Sequence, residues 1–282
     1  MSCVCIQDAL SWAVHKITGQ SARIDAEILL MYVLKKKRAF LYAYPELILS
    51  QAQYVYFQEL IDLRKLGHPV AYLTGEREFW SIKLSVTPDT LIPRAESECI
   101  IEVILEQFDK NTRLKVLELG TGSGALACAL ASDRSEWTIV SCDISLNALK
   151  VAQQNADHLN LGNIQFIHSN WFSSLVKTQK FDLILSNPPY LASDDPHLTH
   201  GDLRFEPKNA LISGPSGLED LEHIIQHSHE YLNDGGLLVL EHGFTQRNAV
   251  MNLLDQTGYN QLQCWPDIQG HDRVTGGYYS AE

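Results

Sequence analysis

Two stretches of the sequence hold residues whose types and spacing could do chemistry. The first is Glu118-Leu119-Gly120-Thr121-Gly122-Ser123-Gly124-Ala125, an apolar run closing on three alternating glycines. Glycines placed after a strand let the backbone turn tightly and approach a ligand without interference from a Cβ. Asp143 closes the next apolar run, 23 residues after Gly120. A carboxylate at that point can accept two hydrogen bonds from a ribose diol.

Taken by itself, the glycine loop leaves two readings open. It fits the dinucleotide pattern G-x-G-x-x-G/A, and it fits the G-x-G-x-G loop of S-adenosylmethionine enzymes equally well. Either way, a nucleoside-bearing cofactor is expected. The second stretch, Asn187-Pro188-Pro189-Tyr190, follows another apolar run directly. Its two prolines fix φ and remove two N–H donors. What remains at the turn is a set of acceptors, the Asn187 side-chain oxygen and the Pro188 carbonyl, beside the flat face of Tyr190. Acceptors converging next to a π-surface suit a planar NH2 group, such as a carboxamide or the exocyclic amine of a base.

These residues need elements to position them. From Leu114 onward, apolar runs at 115–119, 138–142, 163–168, 181–186 and 236–240 alternate with helical stretches such as 146–159 and 218–231. Strands alternating with helices imply an α/β fold with a parallel sheet covered on both faces. In such sheets, ligands bind at the carboxyl ends of the strands, near the point where strand order reverses. Residues 1–66 read instead as helices, with Leu10, Ala13, Val14 and Ile17 on one face. The run Lys35-Lys36-Lys37-Arg38 reads as a solvated helix end, where cations suit the helix dipole. Residues 76–86 read as a short β-hairpin. The expected organisation is a helical domain over 1–74, a hairpin linker over 75–90 and a catalytic domain over 91–282.

Composition narrows the function. The net charge of −12 is uneven: residues 1–75 carry +2 and residues 76–282 carry −14. An acidic catalytic domain is a poor phosphate surface, so no direct nucleic-acid contact is expected. The longest apolar run has seven residues, 28–34, far short of the roughly 20 that span a membrane. With no signal-like N-terminus and six scattered cysteines, a cytoplasmic chain with reduced thiols is expected. Cys3 and Cys5 supply only half a tetrahedral metal shell. His223, His227 and His229 lack an H-E-x-x-H pattern, and no Gly-Lys pair marks a P-loop. No metal site is expected.

Together, Gly120–Gly124 and Asn187–Tyr190 resemble the amino-group methyltransferases that use S-adenosylmethionine. More closely, the chain resembles the PrmC/HemK family of release factor glutamine methyltransferases. The resemblance runs through 25–27, 69–80, 91–94, 186–190, 195–198, 204–207, Glu241-His242-Gly243 and 272–274. It implies a Rossmann-like class I methyltransferase domain with a mostly parallel seven-stranded sheet, preceded by a small helical bundle. The chain departs from the family at Ala95-Glu96-Ser97-Glu98, where Pro-Asp-Thr-Glu is usual; Ser97 keeps a hydroxyl. Glu118 stands where Asp is often found.

The resemblance also assigns roles. Gly120, Thr121, Gly122, Ser123 and Gly124 would wrap the methionine end of S-adenosylmethionine, whose product is S-adenosylhomocysteine. Asp143 and Ile144 would meet the ribose, and Trp171 would flank the adenine. Asn187 would touch both cofactor and substrate, with Pro188, Pro189 and Tyr190 completing the catalytic turn. The substrate would be the GGQ-motif glutamine of a class-1 release factor, methylated at N5 by a monomeric enzyme whose helical domain docks the factor. A ribosomal-protein glutamine and the N6 of adenine in nucleic acid are the competing substrates. The acidic catalytic domain offers no basic groove for the latter.

Overall fold

The computed structural model describes residues 4–281 and divides into two compact units. One comprises residues 1–76 with 199–205; the other comprises 77–198 with 206–282.

The first unit is helical: α1 (Ile6–Lys16), α2 (Ala22–Leu34), α3 (Arg38–Ala43), α4 (Gln51–Lys65) and α5 (Val70–Thr74). Its core buries Ile6 and Leu10 of α1, Leu29 and Leu30 of α2, and Phe57 and Ile61 of α4. The start of α4 is held by a capping box, in which Ser50 and Gln53 satisfy each other's backbone N–H. Lys35 ends α2 in the left-handed region at φ 53°. All four cations of the 35–38 run are exposed, as expected, but Arg38 opens the next helix rather than ending the previous one.

Two buried acids organise this unit. Asp25 accepts from Arg64 Nε at 2.8 Å, and Arg64 also reaches Asp202 of the 199–205 segment at 3.0 Å. Glu27, 1% exposed, accepts from Arg23 at 2.5 Å, Tyr42 at 2.6 Å and Arg38 at 2.7 Å. Burial by itself would push the Glu27 carboxyl up. Hydrogen bonds from Tyr42, Arg23 and Arg38 outweigh it and hold the pKa below its ordinary value. Glu27→Ala will therefore lower the melting temperature of this unit by about 4–8 °C at neutral pH. Because the folded pKa is depressed, the native stabilisation is present above the ordinary carboxylate range and is lost as pH falls through the folded value. Melting curves of both proteins should converge on acidification.

The second unit opens with the hairpin β1 (Glu76–Phe79) and β2 (Ile82–Ser85). Phe79 and Leu84 pack into the core of this unit. A seven-stranded sheet follows: β3 (Lys115–Leu119), β4 (Thr138–Asp143), β5 (Ile164–His168), β6 (Phe181–Ser186), β7 (Leu232–Glu241), β8 (Tyr259–Pro266) and β9 (Asp272–Tyr279). The strand order is β5-β4-β3-β6-β7-β9-β8. All pairs are parallel except those of β9 with β7 and β8. Helices α6 (Glu98–Gln107), α7 (Ala125–Asp133), α8 (Leu146–His158), α9 (Glu219–Ser228) and α10 (Arg247–Gln256) accompany the strands. Neighbouring strand residues feed opposite faces: Val116 and Leu183 join one buried cluster, Leu117 and Ile184 the other. A sheet buried on both sides explains why its strands read as continuous apolar runs rather than as alternation.

Register then does the positioning. Strand order reverses at β3, between β4 and β6. Leu119 pairs with Cys142 on one side and Ser186 on the other, and Ser186 pairs with Leu240. The next residue along each strand is Gly120, Asp143, Asn187 and Glu241. Four residues far apart in the chain thus stand side by side at the carboxyl edge. Among the described residues no helix is long and apolar enough to cross a membrane.

Candidate active site

A cavity of about 220 Å3 opens at that edge, in the second unit. The glycine loop forms its floor, with Gly120, Thr121, Gly122 and Ser123 on the wall. Gly122 has φ 55°, and a Cβ built there would meet nothing within 4 Å, so its backbone stands open to a ligand. Gly124 does not line the cavity. It caps α7 at φ 82°, and a Cβ there would lie 3.0 Å from Ala152 Cβ. Its role is close helix packing, which holds the loop in place.

Asp143 anchors the other side. Its Oδ2 accepts from the Gly122 N–H at 2.8 Å and its Oδ1 from the Ser145 N–H at 2.8 Å. Each carboxylate oxygen keeps a further lone pair for a diol. Burial raises the Asp143 pKa, and the backbone donors only partly offset that rise. Ile144 lines the cavity beside it and is 54% exposed, an apolar surface placed to cover a ligand. Trp171 faces it. Its ring reaches within 3.4 Å of the position a Gly120 Cβ would take, and its Nε1 donates to Asp220 Oδ1 at 3.2 Å. The backbone of Trp171 is left-handed at φ 48°, a strain that persists only where surroundings impose it.

Beneath the loop lies Glu118, 1% exposed. It accepts from the hydroxyls of Thr121 at 2.6 Å and of Ser141. Burial raises its pKa. The acid in front of the glycines thus ties the loop to β4, a role its position in the sequence suggested but did not specify.

The Asn187–Tyr190 turn closes the cavity. Asn187 and Pro189 line it, whereas Pro188 and Tyr190 do not. Pro188 is buried. Among the described residues no donor reaches its carbonyl. Tyr190 packs against the core, and its hydroxyl meets Glu241 Oε1 at 3.4 Å. Burial, then the Glu241 charge, raises the Tyr190 pKa, so its hydroxyl stays protonated. The turn is clamped from behind, because Gln246 Nε2 donates to the Tyr190 carbonyl at 3.1 Å. Asn187 Nδ2 donates to Ser97 Oγ at 3.0 Å, and among the described residues no donor meets its amide oxygen.

Sequence reading missed three contributors. Ser97 and Arg94 line the cavity from the segment before α6, and Asp220 does so from α9. The sequence signals were the hydroxyl retained at Ser97 and the place of Arg94 in the 91–94 stretch of the resemblance; nothing local marks Asp220. Among the described residues no three His, Cys, Asp or Glu side chains group to hold a metal ion. Cys3 lies outside the described residues.

The arrangement is chemically coherent. Glycine backbone, a buried diol acceptor and an indole face fit a nucleoside whose amino-acid end lies over the loop. A clamped acceptor turn beside it fits a planar NH2 substrate.

Comparison with known proteins agrees. Residues 8–75 match the family described as PrmC N-terminal domain, and residues 100–203 match Methyltransferase small domain. A release factor glutamine methyltransferase of Salmonella typhimurium is 44% identical, covering 97% of this chain and 99% of that one. Its counterpart in Vibrio cholerae is 43% identical, covering 99% and 98%. Among solved structures, a methyltransferase from Pyrococcus furiosus superposes with a TM-score of 0.53 at 16% identity, over 70% of this chain and 89% of that one, which speaks to the fold. With such identity over nearly the full length, and with both the helical unit and the acceptor turn in place, the chain belongs to the release factor glutamine methyltransferase family.

Proposed function

We propose that this protein methylates N5 of the GGQ-motif glutamine in a class-1 peptide chain release factor. The observation that carries the reading is Asn187: its Nδ2 is tied to Ser97, so its oxygen faces outward as an acceptor at the cofactor cavity. A substrate amide NH2 has two hydrogens to donate; the Asn187 oxygen would accept one, and the Pro188 carbonyl, which no donor among the described residues reaches, would accept the other.

An amide nitrogen is a weak nucleophile because its lone pair is delocalised into the carbonyl. It is also barely acidic, so a general base offers little. Holding the NH2 by both hydrogens aims its lone pair, and positioning of this kind can lower a barrier by several kcal/mol, up to about 7–11 in ideal cases. S-adenosylmethionine, when bound, supplies an electrophilic methyl on a sulfonium whose charge disappears as the methyl leaves. With it bound, the N–C bond would form as the S–C bond breaks, and one amide hydrogen would leave to water as a proton. Gly120–Ser123 would hold the amino-acid end of the cofactor, Asp143 its ribose and Trp171 its base. Asp143, Glu118 and Asp220 make the cavity acidic, which suits a cationic cofactor.

The helical unit would dock the release factor, in keeping with its +2 balance against the −14 of the remainder. The enzyme would work as a cytoplasmic monomer without touching nucleic acid. Transfer of labelled methyl to a purified class-1 release factor tests this. Label on the intact factor, absent when its GGQ glutamine is Ala, supports the reading. No label on any release factor, with cofactor bound, would send the search to ribosomal proteins and then nucleic acids.

A further inference from the structure

Glu241 is buried at 1% exposure, and among the described residues its Oε2 has no hydrogen-bond partner. A carboxylate hidden from water and left half unsatisfied is costly unless it serves a purpose. Its place is telling. It follows Leu240, the register partner of Ser186, so it stands one strand over from Asn187 at the carboxyl edge. Its Oε1 takes the Tyr190 hydroxyl at 3.4 Å. The Ser97 hydroxyl is also close enough to Glu241 to lower the proton affinity of the carboxylate. The Ser97 oxygen already accepts from Asn187 Nδ2. A hydroxyl has one proton to give, and the acceptor within its reach that lacks a donor is Glu241.

We infer that Glu241 is a positioning residue that acts through Ser97 to set which end of the Asn187 amide faces the substrate. The inference rests on the methyl-transfer reading above. With Glu241 ionised, Ser97 must donate to it and can only accept from Asn187. The Asn187 NH2 is then held inward and its oxygen outward, the polarity a substrate NH2 requires. With Glu241 protonated, the chain can reverse. Glu241 donates to Ser97, Ser97 donates to the Asn187 oxygen, and the amide turns its NH2 toward the substrate NH2. Donor then meets donor, and orientation is lost.

The surroundings place this switch near neutrality. Burial drives the Glu241 pKa up to about 7, against the lowering effects of Ser97, Arg273 and Tyr190, and Glu96 adds to the rise. Arg273 is shared with Asp267, its Nε at 3.2 Å from Oδ2. Cys99 of α6 also senses Glu241, and its own thiol is pushed up to about 11, so it stays neutral. The adjacent His242 has both ring nitrogens engaged, by the Gly243 carbonyl and by Thr275 Oγ1, and its pKa is lowered.

The test compares wild type with Glu241→Gln, Ser97→Ala and Ser97→Thr, measuring kcat and KM for methyl transfer to the intact release factor from pH 6 to 8.5. Wild-type kcat should fall about tenfold per pH unit below 7, with little change in KM. Glu241→Gln can donate permanently to Ser97, so it should be slow at every pH and show no such limb. Ser97→Ala should lose about tenfold or more in kcat, and Ser97→Thr should restore both rate and pH profile. A Glu241→Gln enzyme that keeps the wild-type rate and limb, or a Ser97→Thr enzyme no better than Ser97→Ala, would overturn the inference.

A second arm needs no substrate. A carboxyl whose pKa is raised on folding costs stability as pH rises toward that raised value. The melting temperature of Glu241→Gln minus that of wild type should therefore grow between pH 6 and 8. A constant difference would contradict titration of Glu241 in this range, whatever the substrate proves to be. An inactive wild type with a growing difference would instead place the failure in the functional reading.

Discussion

Asn187→Ala will lower the single-turnover rate of methyl transfer by about 10²–10³ while changing cofactor affinity less than tenfold. The rate estimate takes loss of one preorganised hydrogen-bonding group at a reacting centre as its guide. Asn187 supplies the amide oxygen that faces the cavity. Alanine removes that acceptor and frees the Ser97 oxygen from Asn187 Nδ2. It leaves the turn in place, because Pro188 and Pro189 still restrict the backbone and Gln246 still clamps the Tyr190 carbonyl. Single-turnover rates at saturating cofactor, with calorimetric binding in parallel, separate the two effects. A comparable loss in affinity and rate would instead make Asn187 a cofactor ligand first.

Asp143→Ala has the opposite signature. Cofactor affinity will fall by about 10² or more, since two hydrogen bonds to a charged group are worth about 1.5–3 kcal/mol each. The same change strips the acceptor from the Gly122 and Ser145 N–H groups, one bond to the glycine loop and one to the start of α8. Burial raises the Asp143 pKa, so protonation on acidification should weaken cofactor binding at a higher pH than an ordinary aspartate would. Isothermal titration across pH checks both statements. Unchanged affinity would move the ribose contact elsewhere in the cavity.

What the sequence reveals here follows from how far apart the partners lie along it. The glycine loop, Asp143 and Asn187–Tyr190 are each legible because each directly follows an apolar strand. Parallel topology then brings such strand ends together without further information. The hairpin at 76–85 was legible from its alternation, and helices α1, α2 and α4 from their apolar faces. Partners joined only by tertiary packing were not legible. Asn187 meets Ser97 from 90 residues away and Tyr190 meets Glu241 from 51. Trp171 finds Asp220 at a separation of 49. The last two strands, β8 and β9, also left little local trace. β9 carries Gly276 and Gly277, poor strand formers, where a Cβ at 276 would lie 2.6 Å from the Leu238 carbonyl. The resemblance to a family, rather than residue pattern, anticipated them. The short helix α5 was hidden behind Gly67 and Pro69, residue types that end a helix.

The site shows why this pattern of burial suits the chemistry. Glu118 and Asp143, which line the cavity, and Glu241, which meets the Tyr190 hydroxyl, are all raised by desolvation. Structural acids are ordinarily matched by cations, as Glu27 is by Arg23 and Arg38. At the cavity, hydroxyls and backbone N–H groups do most of the holding. Perturbed groups clustered in this way mark functional sites.

The most direct test of the central claim is a residue-level tandem mass spectrum of a class-1 release factor after incubation with this enzyme and S-adenosylmethionine. One added methyl group on the side chain of the GGQ glutamine, and none when Asn187→Ala enzyme is used for the same time, is the predicted result. A methyl group on another residue, or an unmodified factor beside a cofactor-saturated enzyme, would contradict the account.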